Sequence, residues 1–207
     1  LHPRGLGPRG DDVVEVGQAR LVNSYAAKRI YGYPSVVIDF GTAITFDIVS
    51  KGGDYLGGLI FPGLELSLDA LSRRAALLPK IELKKPAGLI GKNTVESMRS
   101  GIFYGIGSLC DGIVKRLNKN FGVRFKIVAT GGQAKEIRKF CTVFDKVDSD
   151  LTLKGLNLIY PVRDSADKAL PKGSRARPRA RQNLWVGDDP EYRVRKHVQS
   201  LTGFTAK

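Results

Sequence analysis

The hydrophobic pattern of residues 13–35 predicts an amphipathic helix. Its apolar side chains recur near helical spacing at Val16, Leu21, Val22, Tyr25, Ala26 and Ile30. Gly32 and Pro34 then supply the signals that end a helix. The chain therefore enters its first strand directly after this helix.

Short apolar runs rich in β-branched and aromatic residues follow, and they predict an antiparallel meander. The runs cover residues 36–39, 45–49 and 55–61. The polar turn 40–42 separates the first two, and the glycine turn 51–54 separates the last two. Such short connections join antiparallel neighbours.

The rest of the predicted domain alternates helices and strands. We predict helices at 62–76, 93–121 and 133–140, strands at 124–129 and 143–147, and an apolar closing segment at 151–160. The order of three strands, two helices, a strand and a helix resembles the α/β, ribonuclease-H-like unit of sugar kinases and actin. That resemblance implies a mixed sheet flanked by helices, forming one half of a two-domain clamp on a nucleotide.

Glycines interrupt the long helix 93–121 at positions 101, 105 and 107. Glycine inside a helix costs about 1 kcal/mol relative to alanine. Close packing of this helix against another helix or another subunit would compensate for that cost.

The net charge of +14 invites a nucleic-acid interpretation, but its distribution weakens it. Residues 161–207 carry 11 Lys and Arg against 5 Asp and Glu. We therefore divide the chain into an atypical flank 1–12, a domain 13–160 and a basic Pro/Arg-rich tail 161–207, which we expect to be disordered. The tail could contact nucleic-acid phosphates, but a solvated or spurious extension is the favoured interpretation.

Composition excludes several classes of protein. There is no apolar run long enough to span a membrane and no signal-peptide core, so we expect no membrane partner. Cys110 and Cys141 lie in apolar segments, as reduced core cysteines do. His2 and His197 both lie in the flanks, which disfavours histidine catalysis.

The most informative chemistry lies at the end of the first predicted strand. Asp39 is followed by the turn residues Gly41 and Thr42, and Thr45 opens the second strand. Glycine lets a phosphate approach the backbone, threonine donates a hydrogen bond, and the carboxylate can bind a cation. An ordinary hairpin with polar turn residues is the alternative interpretation.

A second turn, Thr130-Gly131-Gly132, leads from a strand into a helix. Glycines at this kind of turn let a phosphate or a planar base approach the helix. The motif is weak by itself, because Gly-Gly turns are common. Together the two turns are interpreted as facing pieces of one nucleotide cleft.

The segment 39–47 resembles the second phosphate motif of type III pantothenate kinases. Further blocks follow the same family pattern: Gly57-Gly58, Pro62-Gly63-Leu64, Ser67-Leu68, Ala70-Leu71, Leu78-Pro79, 90–94, Ser100-Gly101, Tyr104-Gly105, 129–132 and 151–156. The resemblance covers about residues 13–160 in collinear order.

This resemblance implies a cytoplasmic bacterial homodimer that phosphorylates pantothenate with ATP, the first step of coenzyme A biosynthesis. It implies that Asp39 binds potassium or ammonium and that Thr42, with Gly41 and Thr45 in the same motif, contacts ATP phosphate. Residues 130–132 would lie by the base or ribose, and Thr94 would reach pantothenate in the partner subunit. Magnesium is expected with the ATP.

The sequence departs from the family pattern at the catalytic base. The family has Gly-x-Asp-Arg in the helix before the phosphate motif, and its Asp removes the proton from the pantothenate hydroxyl. Here the matching positions are Gly17, Gln18, Ala19 and Arg20, which with Thr94 form the predicted substrate-binding set. Alanine cannot accept a proton, so no catalytic residue is intact and we expect impaired turnover.

The family's Asp-x-Gly-Asn-Thr loop, which grips ATP and magnesium, has no counterpart in residues 1–12. We therefore expect a truncated kinase whose N-terminal half would come from a separate chain. The alternative is a catalytically inactive kinase-like module with a binding or regulatory role, its basic tail a possible nucleic-acid contact.

Overall fold

A mixed, five-stranded sheet forms the centre of the fold in the computed structural model, which describes residues 16–160. The strands are β1 (Ser35–Phe40), β2 (Ala43–Val49), β3 (Tyr55–Pro62), β4 (Lys126–Thr130) and β5 (Lys146–Val147). The helices are α1 (Gln18–Tyr31), α2 (Leu64–Arg74), α3 (Thr94–Phe121), α4 (Ala134–Ile137), continued by a 3-10 turn (Arg138–Phe140), and α5 (Leu151–Ile159). The predicted flank 1–12 and the basic tail 161–207 lie outside the described residues.

The strand order is β3-β2-β1-β4-β5. β1, β2 and β3 pair antiparallel, which confirms the predicted meander, whereas β4 and β5 are parallel to β1. This mixed sheet with helices on both sides is the predicted ribonuclease-H-like arrangement. The carboxyl ends of β1 and β4 consequently meet at one edge of the sheet.

The two faces of the sheet are covered by different helices, because successive side chains of a strand point to opposite faces. Val36, Ile38 and Phe40 pack into a large core with residues of α2, α3 and α4. Val37 packs on the other face with Ala26 of α1 and with residues of β4 and α5. α1 and α3 therefore lie on opposite sides of the sheet.

The boundaries of α3 follow from its caps. The Asn93 side chain accepts a hydrogen bond from the Glu96 backbone N–H at 2.9 Å, which satisfies a free donor of the first turn. Gly122 ends the helix in the left-handed conformation, with φ of 61°. Both ends agree with the sequence prediction.

Two predicted elements differ from the structure. The closing segment 151–160 is the helix α5, in which Gly155 lies so close to Val22 of α1 that a Cβ would collide with it. The predicted strand 143–147 is reduced to Lys146–Val147. At its start, the Val143 backbone N–H, like that of Thr142 just before it, donates a hydrogen bond to Asp111 of α3.

The glycines of α3 have two different environments. Gly107 lies against Phe140, whose backbone would collide with any Cβ there. A Cβ at Gly101 or Gly105 would meet nothing within 4 Å among the described residues. Packing within this domain therefore accounts for Gly107 alone.

Both cysteines are free thiols. The hydrogen bond to Cys110, together with burial, raises the pKa of the Cys141 thiol.

Within residues 16–160, no helix has the length and apolar character needed to cross a bilayer. That same part of the chain contains no cluster of three or more His, Cys, Asp or Glu side chains able to hold a metal ion.

Candidate active site

The two turns singled out in the sequence lie side by side at the carboxyl ends of β1 and β4. Asp39 and Thr130 are register partners in the parallel pair. Gly131 has φ of 91°, and a Cβ there would collide with Asp39 Oδ1 and with the Phe40 backbone. Only glycine permits this close approach, so the second turn is built against the first.

The phosphate-motif turn is also held from its other side. The Gly63 backbone N–H donates to the Thr42 carbonyl at 2.9 Å, and a Cβ at Gly63 would collide with the carbonyls of Gly41 and Thr42. α2 begins at the next residue, so its positive N-terminal end adjoins the turn. Gly41 and Thr42 themselves are exposed.

Asp39 is a partly buried carboxylate with a polar support but no cationic partner among residues 16–160. The buried Asn23 amide of α1 donates to Asp39 Oδ2 at 3.0 Å, and the Thr152 hydroxyl of α5 donates to the Asn23 carbonyl oxygen at 2.7 Å. Burial raises the pKa of Asp39, and the nearby charge of Asp47 adds to this, against the opposing effect of Asn23. A carboxylate with uncompensated charge suits a hard cation with oxygen ligands.

Asp47 lies on the same face of the sheet as Asp39, but both of its carboxylate oxygens accept hydrogen bonds from other side chains of the protein. Its buried carboxylate accepts from Arg20 Nε at 2.8 Å, from the Tyr55 hydroxyl at 2.8 Å and from the Thr45 hydroxyl at 3.2 Å. Burial raises the pKa of Asp47, while the hydrogen bond from Tyr55 and the charge of Arg20 oppose the rise. Thr45, predicted to serve the nucleotide, is thus engaged with Asp47.

Known proteins are similar to this chain in sequence. A sequence model of type III pantothenate kinases matches residues 4–116, which is more than half of the chain. The chain belongs to the type III pantothenate kinase family. The match begins within residues 1–12, the predicted flank.

Two curated type III pantothenate kinases are similar to this chain over 156 residues each. The protein from Halalkalibacterium halodurans is 49% identical and the protein from Moorella thermoacetica 47%, each over 75% of this chain and 61% of the relative. The chain therefore spans about three fifths of the length of these relatives. A solved structure described as a conserved putative Baf family transcriptional activator from Campylobacter jejuni is 26% identical, with a TM-score of 0.49 over 70% of this chain and 63% of that one.

The predicted base position, Ala19, lies in the first turn of α1. Gly17, Gln18 and Ala19 are exposed there, and this turn contains no acidic residue. Arg20, one residue further, is directed onto the sheet and its side chain is 17% exposed. At position 19 the turn carries only the methyl group of an alanine.

Thr94, the remaining predicted pantothenate contact, is not brought to this turn within one chain. It is the exposed first residue of α3, on the other side of the sheet from α1. Further along α3, an apolar groove of about 650 Å³ separates this helix from α2. Gly101 and Gly105 line it, opposite Leu66 and Leu71 of α2.

Proposed function

We propose that this chain is built to phosphorylate pantothenate with ATP, forming 4'-phosphopantothenate in the first step of coenzyme A biosynthesis. Family membership supports the reaction class. The single observation that carries the proposal is the contact between the Asp39 turn and the Gly131 turn. It joins a partly buried carboxylate, an exposed Gly-Thr turn and a glycine strand-to-helix turn at one edge of the sheet.

In this proposal the nucleotide lies along that edge. Gly41 and Thr42 would bind a terminal phosphate of ATP, and the turn 130–132 would lie by its base or ribose. Asp39 would hold a monovalent cation, potassium or ammonium, whose charge offsets that of the phosphates. Magnesium, expected from the family resemblance, would accompany the ATP phosphates.

Pantothenate would bind at the N-terminal turn of α1. This turn is exposed at Gly17, Gln18 and Ala19. Arg20 supplies a cationic group there that suits the carboxylate of pantothenate. Arg20 Nη2 is buried 2.8 Å from Asp47 Oδ1, without the geometry of a hydrogen bond. Thr94 would contact pantothenate from the partner subunit.

The groove between α2 and α3 supports the proposed homodimer. A Cβ at Gly101 or Gly105, four residues apart in α3, would meet nothing within 4 Å among the described residues, so packing there does not compensate for the cost of these glycines to the helix. We propose that a second copy packs on this groove. Gly101→Ala should raise helix stability by about 1 kcal/mol while weakening self-association in analytical ultracentrifugation.

Turnover is expected to be slow. Loss of a positioned general base typically reduces rate by about 10²–10⁴-fold. Asp47, on the same face of the sheet as Asp39, is fully buried and bonded to Arg20. It is therefore not available to remove the pantothenate proton.

The exposed Ala19 also favours a second candidate function. A kinase-like module that binds pantothenate or nucleotide without transferring phosphate would keep Arg20 and Asp39 and dispense with the base. In that case ligands would bind with ordinary affinity, yet no phosphopantothenate would form even when the opposing half of the cleft is present. The predicted nucleic-acid contact of the tail 161–207 lies outside the described residues.

The test is a phosphorylation assay with radiolabelled ATP and pantothenate, performed in potassium and in sodium buffer. The full chain is measured alone and with the N-terminal half of a relative that contains the Asp-x-Gly-Asn-Thr loop. We expect slow, potassium-dependent transfer to pantothenate in the mixture. Pantothenate binding without any transfer would favour the module, and absence of binding to either substrate would contradict both functions.

A further inference from the structure

The hydrogen bonds around Asp47 form a small network that the phosphate motif does not explain. Arg20 comes from α1, Thr45 from β2 and Tyr55 from β3, and all three donate to one carboxylate. Asp47 is completely buried, and the Arg20 side chain is 17% exposed. The network therefore joins α1 to β2 and β3.

Stability alone does not account for this arrangement. Removing a carboxylate and a guanidinium from water costs several kcal/mol, and well-packed apolar side chains often replace such pairs without loss of stability. What the network does provide is a fixed orientation. Nε and Nη2 of Arg20 both lie 2.8 Å from the same oxygen, Asp47 Oδ1, which restricts the plane of the guanidinium.

The sheet surface is shaped to admit this guanidinium. A Cβ at Gly58 of β3 would collide with Arg20 Nη2 and with the Phe46 carbonyl. Gly58 is the register partner of Asp47, so the space left by the missing side chain adjoins the carboxylate. A larger residue at this position would displace the arginine head group.

Tyr55 limits the freedom of the carboxylate in turn. Its hydroxyl donates to the same Oδ1 that Arg20 contacts, and Thr45 donates to Oδ2. With both oxygens bonded, the carboxylate plane is fixed before substrate arrives. A preorganised binding group loses less conformational freedom on binding.

We propose that Asp47 and Tyr55 are positioning residues that hold the Arg20 guanidinium for the carboxylate of the substrate. This inference rests on the proposed function, in which Arg20 contacts pantothenate. Neither residue touches substrate; each acts through Arg20. The arrangement requires the planar fork of arginine, because a lysine ammonium at position 20 would lack the second nitrogen that Asp47 orients.

The test compares two tyrosines that make the same kind of bond at opposite ends of α1. The Tyr31 hydroxyl donates to Asp148 at 2.7 Å, and the Tyr55 hydroxyl donates to Asp47 at 2.8 Å. Tyr55→Phe and Tyr31→Phe each remove one hydroxyl bonded to a carboxylate. Titration calorimetry of the full chain with pantothenate should show about a tenfold loss of affinity in Tyr55→Phe and no loss in Tyr31→Phe. The Tm of each variant is measured as well, so that a loss of affinity can be compared with any loss of stability.

A double-mutant cycle with Arg20→Lys distinguishes positioning from general destabilisation. If Tyr55 acts through Arg20, Tyr55→Phe should cost no further affinity in the Arg20→Lys background. Equal losses in the two tyrosine variants, or a full additional loss in the double variant, would overturn this inference and leave the proposed function intact. A wild-type chain that binds no pantothenate would overturn the proposed function and, with it, the inference.

Discussion

Asp39 and Asp47 lie on neighbouring strands and on the same face of the sheet, yet they have opposite surroundings. Burial raises the pKa of both carboxylates. Asp47 is paired with Arg20, whereas within residues 16–160 Asp39 receives only the amide of Asn23. The same face of the sheet thus holds one carboxylate whose charge is offset by an arginine and one whose charge no cationic side chain of these residues offsets.

The largest effect on stability should come from Asp47→Asn. The change leaves the Arg20 guanidinium under the surface without its counter-charge, and breaking a buried pair in this way costs about 3–5 kcal/mol. Arg20 keeps 17% exposure, so we expect a loss near 3 kcal/mol. Urea unfolding measures it. A loss below about 1 kcal/mol would mean that water already screens the pair.

Asp39→Asn should behave differently, because it removes a charge that no cationic side chain of residues 16–160 offsets. We expect an unchanged or raised Tm in sodium buffer. Potassium at a hundred times its dissociation constant would stabilise the wild-type chain by about 2.7 kcal/mol and the variant by nothing. Equal potassium responses in the two proteins would show that the cation binds elsewhere.

The smallest of the three effects concerns Asp148, a carboxylate that holds α1 to α5. Burial raises its pKa, but hydrogen bonds from Lys154, Tyr31 and the Asp150 backbone outweigh burial and leave the pKa of Asp148 below its usual range. A lowered pKa means that the folded state binds fewer protons than the unfolded chain, so this stabilisation is present at neutral pH and is lost as pH falls through the lowered pKa.

Tyr31→Phe should therefore reduce the free energy of unfolding by about 1 kcal/mol at pH 7. The deficit should shrink in acid, where the wild-type protein also loses its carboxylate contacts. Urea unfolding at a series of pH values measures both quantities. A deficit that grew as the pH fell would contradict the assignment of the bond to an ionised Asp148.

Local sequence patterns were enough to predict much of the fold. The meander followed from short apolar runs with turns between them, and Asn93 and Gly122 marked the ends of α3. The Asp39 and Gly131 turns were predicted to face one nucleotide cleft, but their side-by-side placement comes from the parallel pairing of β1 and β4, whose carboxyl ends share one edge. These features depend on residues close in sequence or on a common supersecondary pattern.

The hydrogen bonds that hold the site residues in place join side chains far apart in sequence, and no local sequence pattern could reveal them. Thr152 and Asn23 are 129 positions apart, and Arg20 and Asp47 are 27 positions apart. The helix α5 was missed because Gly155 interrupts an apolar segment, although its lack of a side chain is what lets α5 approach α1. Strand alternation could have placed Asp47 on the face of Asp39, but not beneath Arg20.

The measurement that tests the account most directly is phosphoryl transfer by the Ala19→Asp variant, mixed with the N-terminal half of a relative and assayed in potassium. If the site is assembled and lacks only its base, the variant should turn over about 10²–10⁴-fold faster than the unmodified chain in the same mixture, with pantothenate affinity little changed. An unmodified chain that turns over as fast as the variant would contradict the assignment of Ala19 to the base position.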